Sequence, residues 1–90
     1  MASARQHDYR DLVCSFDWPC EKAIRVMFCE SRYDPQAYSQ GNYGLYQINA
    51  IHRARVGGDL QSLYTPSVNI AVAYAIWSEQ GWRPWGCRSA

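Results

Sequence analysis

The stretch Phe28-Cys29-Glu30-Ser31-Arg32-Tyr33-Asp34-Pro35 holds the residue best placed to do chemistry. A run with helical spacing carries one carboxylate, Glu30, into its last turn, and the chain breaks at Asp34-Pro35. Glu30 follows Met27 by three positions and Val26 by four, which sets it on the edge of an apolar stripe. Beside apolar packing the charged form of a carboxyl is disfavoured and its pKa rises, as a general acid requires. The plainer reading of the same position is a surface glutamate near a helix end. Shortly afterwards comes a Gly-, aromatic- and amide-rich segment, Gly41-Asn42-Tyr43-Gly44-Leu45-Tyr46-Gln47-Ile48-Asn49. One acid beside aromatics and amides suits acid-assisted cleavage of a neutral sugar polymer.

Other polar and aromatic residues are weighed against packing roles. Tyr43, Tyr46 and Trp82 are candidates for stacking on sugar rings, with Tyr46 divided between core and cleft. Trp85, near the chain end, is read as structural. Gln47 lies between Tyr46 and Ile48, and a buried amide there needs a partner. Asn69 is read as a buried helix-to-loop hydrogen-bonding residue. His7 and His52 have no serine or cysteine triad around them and are read as surface residues.

These residues must be positioned by short helices. Asp8 is a candidate N-cap for a helix over Tyr9 to Cys14. Asp17 is a candidate cap for a second helix, with Pro19 in its first turn, running to about Ser31. Its expected buried stripe is Ala23, Ile24, Met27 and Phe28, with Glu21 and Arg25 paired on the outer face. Arg32 to Asn42 reads as loop, and Tyr43 to Asn49 as a short strand or irregular extended piece. Ile51 to Val56 reads as a short helix ended by Gly57-Gly58, and Asp59 to Leu63 as a single turn. Thr65-Pro66 opens a last helix that runs to about Gln80 with Gly81 as C-cap. That helix is apolar almost all round, which places it in the middle of the domain.

Ninety residues make one small domain, here residues 8–90 behind a disordered tail over 1–7. Hydrophobic residues make up 48% and charged residues 19%, a globular balance. A net charge of +1 with scattered Lys and Arg argues against a nucleic-acid partner. No segment reaches transmembrane length and no secretory leader is visible, so no membrane partner is expected. No cofactor or metal is called for, and a monomer is expected.

The four cysteines suit an oxidising compartment and can staple a domain this small. If Cys20 and Cys29 share one helix, nine steps set them roughly 13 Å apart at about 1.5 Å per residue. A disulfide needs Cα atoms within roughly 7 Å, so Cys20–Cys29 is excluded. Two patterns remain, of which Cys14–Cys20 with Cys29–Cys87 is preferred. Zinc is disfavoured, since the gap from Cys14 to Cys20 is too wide for a knuckle and Cys29 and Cys87 have no near partner.

Taken together, these residues resemble the lysozyme-like superfamily of peptidoglycan-cleaving enzymes. Glu30-Ser31-Arg32-Tyr33-Asp34-Pro35 is similar to the Glu-Ser-x-x-(Asp/Asn)-Pro signature of bacterial lytic transglycosylases and small secreted lysozyme-like domains. Gly44-Leu45-Tyr46-Gln47-Ile48 resembles their Gly-Leu-(Met/Phe)-Gln-Ile segment, and Asn69-Ile70 the Asn-Ile of their last helix. The tail from Gln80 to Cys87 is similar to that of compact bacterial members. The resemblance covers about residues 10 to 87.

It implies a mainly α, α+β fold with a small β or loop wing beside a glycan cleft, and an extracellular, cell-wall or periplasmic location. It implies Glu30 as the catalytic acid acting on peptidoglycan glycan strands at the MurNAc-GlcNAc β-1,4 bond. Gln47, Asn49 and the backbone around Tyr46 would contact the glycan, with Asn42, Tyr43 and Trp82 as further contacts. One departure matters. The segment from Asn42 to Asn49 also resembles a strand of animal lysozymes, which opens on a second catalytic Asp. Here that position is Asn42, so the two-carboxylate scheme is in question. Asp34 looks structural, and nothing in the sequence brings Asp59 to the cleft. A lytic transglycosylase route uses Glu30 alone; water in place of the substrate's 6-hydroxyl would make the enzyme a lysozyme. Two rivals are a non-catalytic glycan-binding module of the same fold and a disulfide-stapled scaffold. Neither gives Glu30 a task.

Overall fold

The computed structural model describes residues 9–90. The tail over 1–7, the Asp8 cap and His7 lie outside the described residues. The architecture is mainly helical with a small antiparallel sheet, as the sequence suggests. Helix α1 spans Arg10–Val13 and α2 spans Cys20–Ser31. Strands β1 (Tyr38–Ser39), β2 (Asn42–Tyr43) and β3 (Ile48–Asn49) form the sheet in that order. Two 3-10 segments, Ala50–Val56 and Leu60–Tyr64, lead into α3, Pro66–Gln80.

Helix α2 carries the acid, and its details differ from the sequence reading. No side chain caps its start, so Asp17 is not the N-cap; Pro19 holds that place in extended conformation. Val26 is buried, while Phe28 is 42% exposed and lies off the inner stripe. Phe28 is covered from outside by Tyr33, with ring centroids 4.9 Å apart, and by the Arg32 guanidinium at 5.0 Å. Glu21 pairs with Arg10 of α1 at 2.7 Å, a bond between helices in place of the expected pair with Arg25. Arg32, at φ 56°, ends the helix in left-handed conformation. Its amide bonds the Phe28 carbonyl at 2.7 Å.

The wing begins earlier than the sequence suggests. Gln40 and Gly41, at φ 51° and 83°, make a two-residue turn with both φ values positive, the geometry that suits a tight hairpin. It pairs Ser39 with Asn42 and Tyr38 with Tyr43. A second turn, with Gly44 at φ 74° and Gln47 at φ 50°, brings Ile48 opposite Tyr43 and Asn49 opposite Asn42. The Asn49 side chain then accepts from the Ile51 amide at 2.9 Å and starts the Ala50–Val56 segment.

One buried amide ties wing to core. Asn69 on α3 is fully buried. Its Oδ1 accepts from Tyr46 N at 2.8 Å, and its Nδ2 donates to Tyr43 O and Leu63 O at 2.8 and 2.9 Å. Gly44 makes room for it. A Cβ at Gly44 would fall 2.4 Å from Leu63 O and 2.5 Å from Asn69 Nδ2, at a φ that L residues rarely adopt. Gly44→Ala should therefore destabilise by about 3 kcal/mol or more, read as a lower urea midpoint at unchanged slope.

The core centres on Trp18, which the sequence reading did not single out. Its ring stacks on Trp82 at 5.5 Å and 19°, and meets Tyr46, Tyr74 and Trp77 within 6.0 Å. Its Nε1 donates to Val13 O at 2.7 Å. Helix α3 buries Ile70, Val72, Ala73 and Ile76, but Ala71 and Glu79 remain exposed, so it is a wall of the domain and is not enclosed by it. Small Ala residues explain the apolar outer side. They add little area that must be buried, and they favour helix.

Candidate active site

Glu30 sits in the last turn of α2, half-buried. The next element to reach it is the C-terminal tail. Cys29 is joined to Cys87 across 58 residues, Cα atoms 6.0 Å apart, and Cys14 is joined to Cys20, 5.1 Å apart. The preferred pairing is the one observed. Because Cys29 precedes Glu30, its bridge brings the Cys87 backbone to the carboxylate, and Cys87 N–H donates to Glu30 Oε2 at 3.1 Å. Burial raises the Glu30 pKa and this N–H lowers it; burial is the larger effect, so the carboxyl lies above its ordinary range.

A groove runs from Glu30 along the wing. Its inner compartment, about 290 Å³, is lined by Glu30, Ser39, Asn42, Gln47, Pro84, Trp85 and Gly86. An outer compartment, about 310 Å³, shares Asn42, Gln47, Pro84 and Trp85, and adds Asn49, Ile51, His52, Ile76 and Gln80 among others. Among the described residues lining these compartments, Glu30 is the one carboxylate. Asp34 Oδ1 accepts from the Gln36 amide at 2.9 Å, and Asp59 lines neither compartment. No group of three or more His, Cys, Asp and Glu that could hold a metal occurs among the described residues.

The amides are fixed by the wing's own bonds. Asn49 Nδ2 donates to Asn42 Oδ1 at 3.0 Å, and Asn42 Nδ2 donates to Ser39 O at 3.0 Å. Gln47 Nε2 donates to Ala37 O and Gly44 O at 3.2 and 3.0 Å, so its Oε1 is the part of the amide still open to a donor. Asn42, Gln47 and Asn49 thus meet in one groove, with Asn42 and Gln47 reaching the compartment of Glu30.

Three of the residues expected at the glycan line neither compartment. Tyr46 is fully buried, with its hydroxyl donating to Ala23 O at 2.7 Å and its carbonyl accepting from Trp85 Nε1 at 2.9 Å. It is a core residue, and its ring cannot touch a sugar. Tyr43 packs between Tyr38 and Tyr64, at 5.1 and 5.6 Å, and lines neither compartment. Trp82 packs on Trp18 and also lies outside both. The aromatic residue that does line the groove is Trp85, whose indole N–H donates to Tyr46 O in the core. His52, read as a surface residue, lines the outer compartment.

The chain matches the lysozyme-like domain family over residues 19–87. It therefore belongs to that family. Comparison with curated protein sequences and with solved structures gives no match.

Proposed function

We propose that this protein cleaves the MurNAc-GlcNAc β-1,4 bond of peptidoglycan by a one-carboxylate route, with Glu30 as general acid and then base. The observation that carries this reading is a half-buried carboxyl, the one carboxylate among the described lining residues, in a compartment it shares with the Asn42 and Gln47 amides, the Ser39 hydroxyl and the Trp85 indole. Glu30 protonates the glycosidic oxygen and the C1–O bond breaks. The substrate's own acetamido oxygen bonds C1 in its place. Glu30, now a carboxylate, takes the proton from the 6-hydroxyl, whose oxygen attacks C1 and displaces the acetamido oxygen. The product is a 1,6-anhydro sugar. Among the described residues, no second carboxylate lines the groove to activate water. An intramolecular hydroxyl has the advantage of proximity. Asn42 and Gln47 hold the glycan, with Trp85 forming part of the wall. The disulfides suit work outside the cytoplasm, at the cell wall, and no described helix is long and apolar enough to cross a membrane.

The test is the pH dependence of peptidoglycan solubilisation. The first step needs Glu30 protonated, and burial stabilises that form, so kcat/KM should hold steady and then fall as pH rises through a value above the ordinary 4.5. A fall centred at or below the ordinary carboxyl value would contradict the assignment. The same shift acts on stability. Folded Glu30 keeps its proton to higher pH than the unfolded chain, so its contribution is full below the unfolded pKa and is lost as pH rises through the folded one.

A further inference from the structure

The outer compartment has a polar wall that the reaction above does not use. His52 lies at the kink inside the Ala50–Val56 segment, at φ −91° and ψ 18°. Its Nδ1 accepts from Arg55 Nε at 3.1 Å. The two terminal nitrogens of Arg55 donate to the two carboxylate oxygens of Glu79 on α3, at 3.2 and 2.6 Å. A guanidinium does not lose its protons, so Nδ1 must accept. A neutral ring that accepts at Nδ1 carries its proton on Nε2. Burial and the Arg55 charge lower the ring's pKa against the opposing Glu79 charge, which keeps the ring neutral at physiological pH. The Glu79–Arg55 pair is near the surface and adds little stability by itself. Its clear consequence is to fix one tautomer in the wall of the groove.

We propose that His52 is a substrate-binding residue, held by Arg55 and Glu79 so that Nε2–H donates to an acceptor oxygen of an N-acetylated pyranose in the outer compartment. This rests on the proposed function, since a glycan seated at Glu30 continues into the compartment that shares Asn42, Gln47 and Trp85 with it. The apolar side chain of Ile51 lines the same space and suits the ring face of a pyranose. Ile51 is 82% exposed and gives the compartment an apolar rim.

The experiment is calorimetric titration of the full chain with tri-N-acetylchitotriose, with peptidoglycan turnover measured in parallel. His52→Ala should weaken binding roughly fivefold to tenfold, the effect of one lost hydrogen bond. Arg55→Ala should do the same, and the double variant should be no worse than either single one. His52→Gln, which keeps an acceptor and a donor, should recover most of the affinity. In turnover, His52→Ala should raise KM by the same factor with kcat nearly unchanged. Unchanged affinity in His52→Ala, or additive losses in the double variant, would overturn the role of His52 even if the wild type cleaves peptidoglycan. Chitotriose binding that depends on His52 in a protein that releases no glycan would uphold it while the reaction proposed above failed.

Discussion

Glu30→Gln should lower peptidoglycan cleavage about 10³-fold, within the range of general acid catalysis, and leave glycan affinity within a factor of about two. Gln is nearly isosteric, keeps an oxygen to accept from Cys87 N–H, and has no proton to give the leaving oxygen. The loss should fall on kcat, because the proton moves only on the way to the transition state. The basic limb of the pH profile should vanish with it. Binding that survives in the absence of turnover separates this outcome from misfolding. If the wild-type protein binds glycan and neither it nor the variant releases fragments, the domain is a binding module.

Opening the Cys29–Cys87 bridge should have the second-largest effect, and on two quantities at once. In the loop-entropy model, closing a span of 58 residues is worth about 4 kcal/mol, whereas the span of six between Cys14 and Cys20 is worth about 2 kcal/mol. Cys87→Ser should therefore lower the unfolding free energy by about 4 kcal/mol. It should also lower kcat under conditions where the protein is still folded, because the freed tail no longer holds Cys87 N–H, Trp85 and Gly86 around the acid. Cys14→Ser should cost about half as much stability and leave kcat unchanged, since neither Cys14 nor Cys20 lines the groove. Equal kcat losses in the two variants would mean that instability alone, and not the placement of the tail, limits the rate.

Much of this arrangement is legible in the sequence where one local rule decides. Helical spacing puts Glu30 at the margin of the buried side of α2, and Thr65-Pro66 and Gly81 mark the ends of α3. The length of α2 alone excludes one cysteine pairing. The buried task of Asn69 follows from an amide in an apolar helix, because such a group needs partners.

What the sequence hides depends on neighbours far along the chain. Tyr46 and Trp82 each give one side to Trp18, and Tyr43 packs between Tyr38 and Tyr64, pairings that no local pattern announces. The wing is concealed because its strands are two residues long, too short for alternation to show. Its signal lies instead in the turn residues Gln40-Gly41. Two groove features had usable signals. The preferred Cys29–Cys87 bridge, with Cys29 next to Glu30, already brings the tail to the acid. Arg55 three positions after His52 places a fixed donor beside the ring.

The most direct measurement is mass spectrometry of the fragments released from purified peptidoglycan, with Glu30→Gln run alongside. New muramic acid ends in the 1,6-anhydro form, absent from the variant digest, are the predicted result. Reducing ends, made by addition of water, would contradict the intramolecular step and turn attention to what activates that water beside Asn42. An undigested glycan with folded wild-type protein would contradict the catalytic role of Glu30.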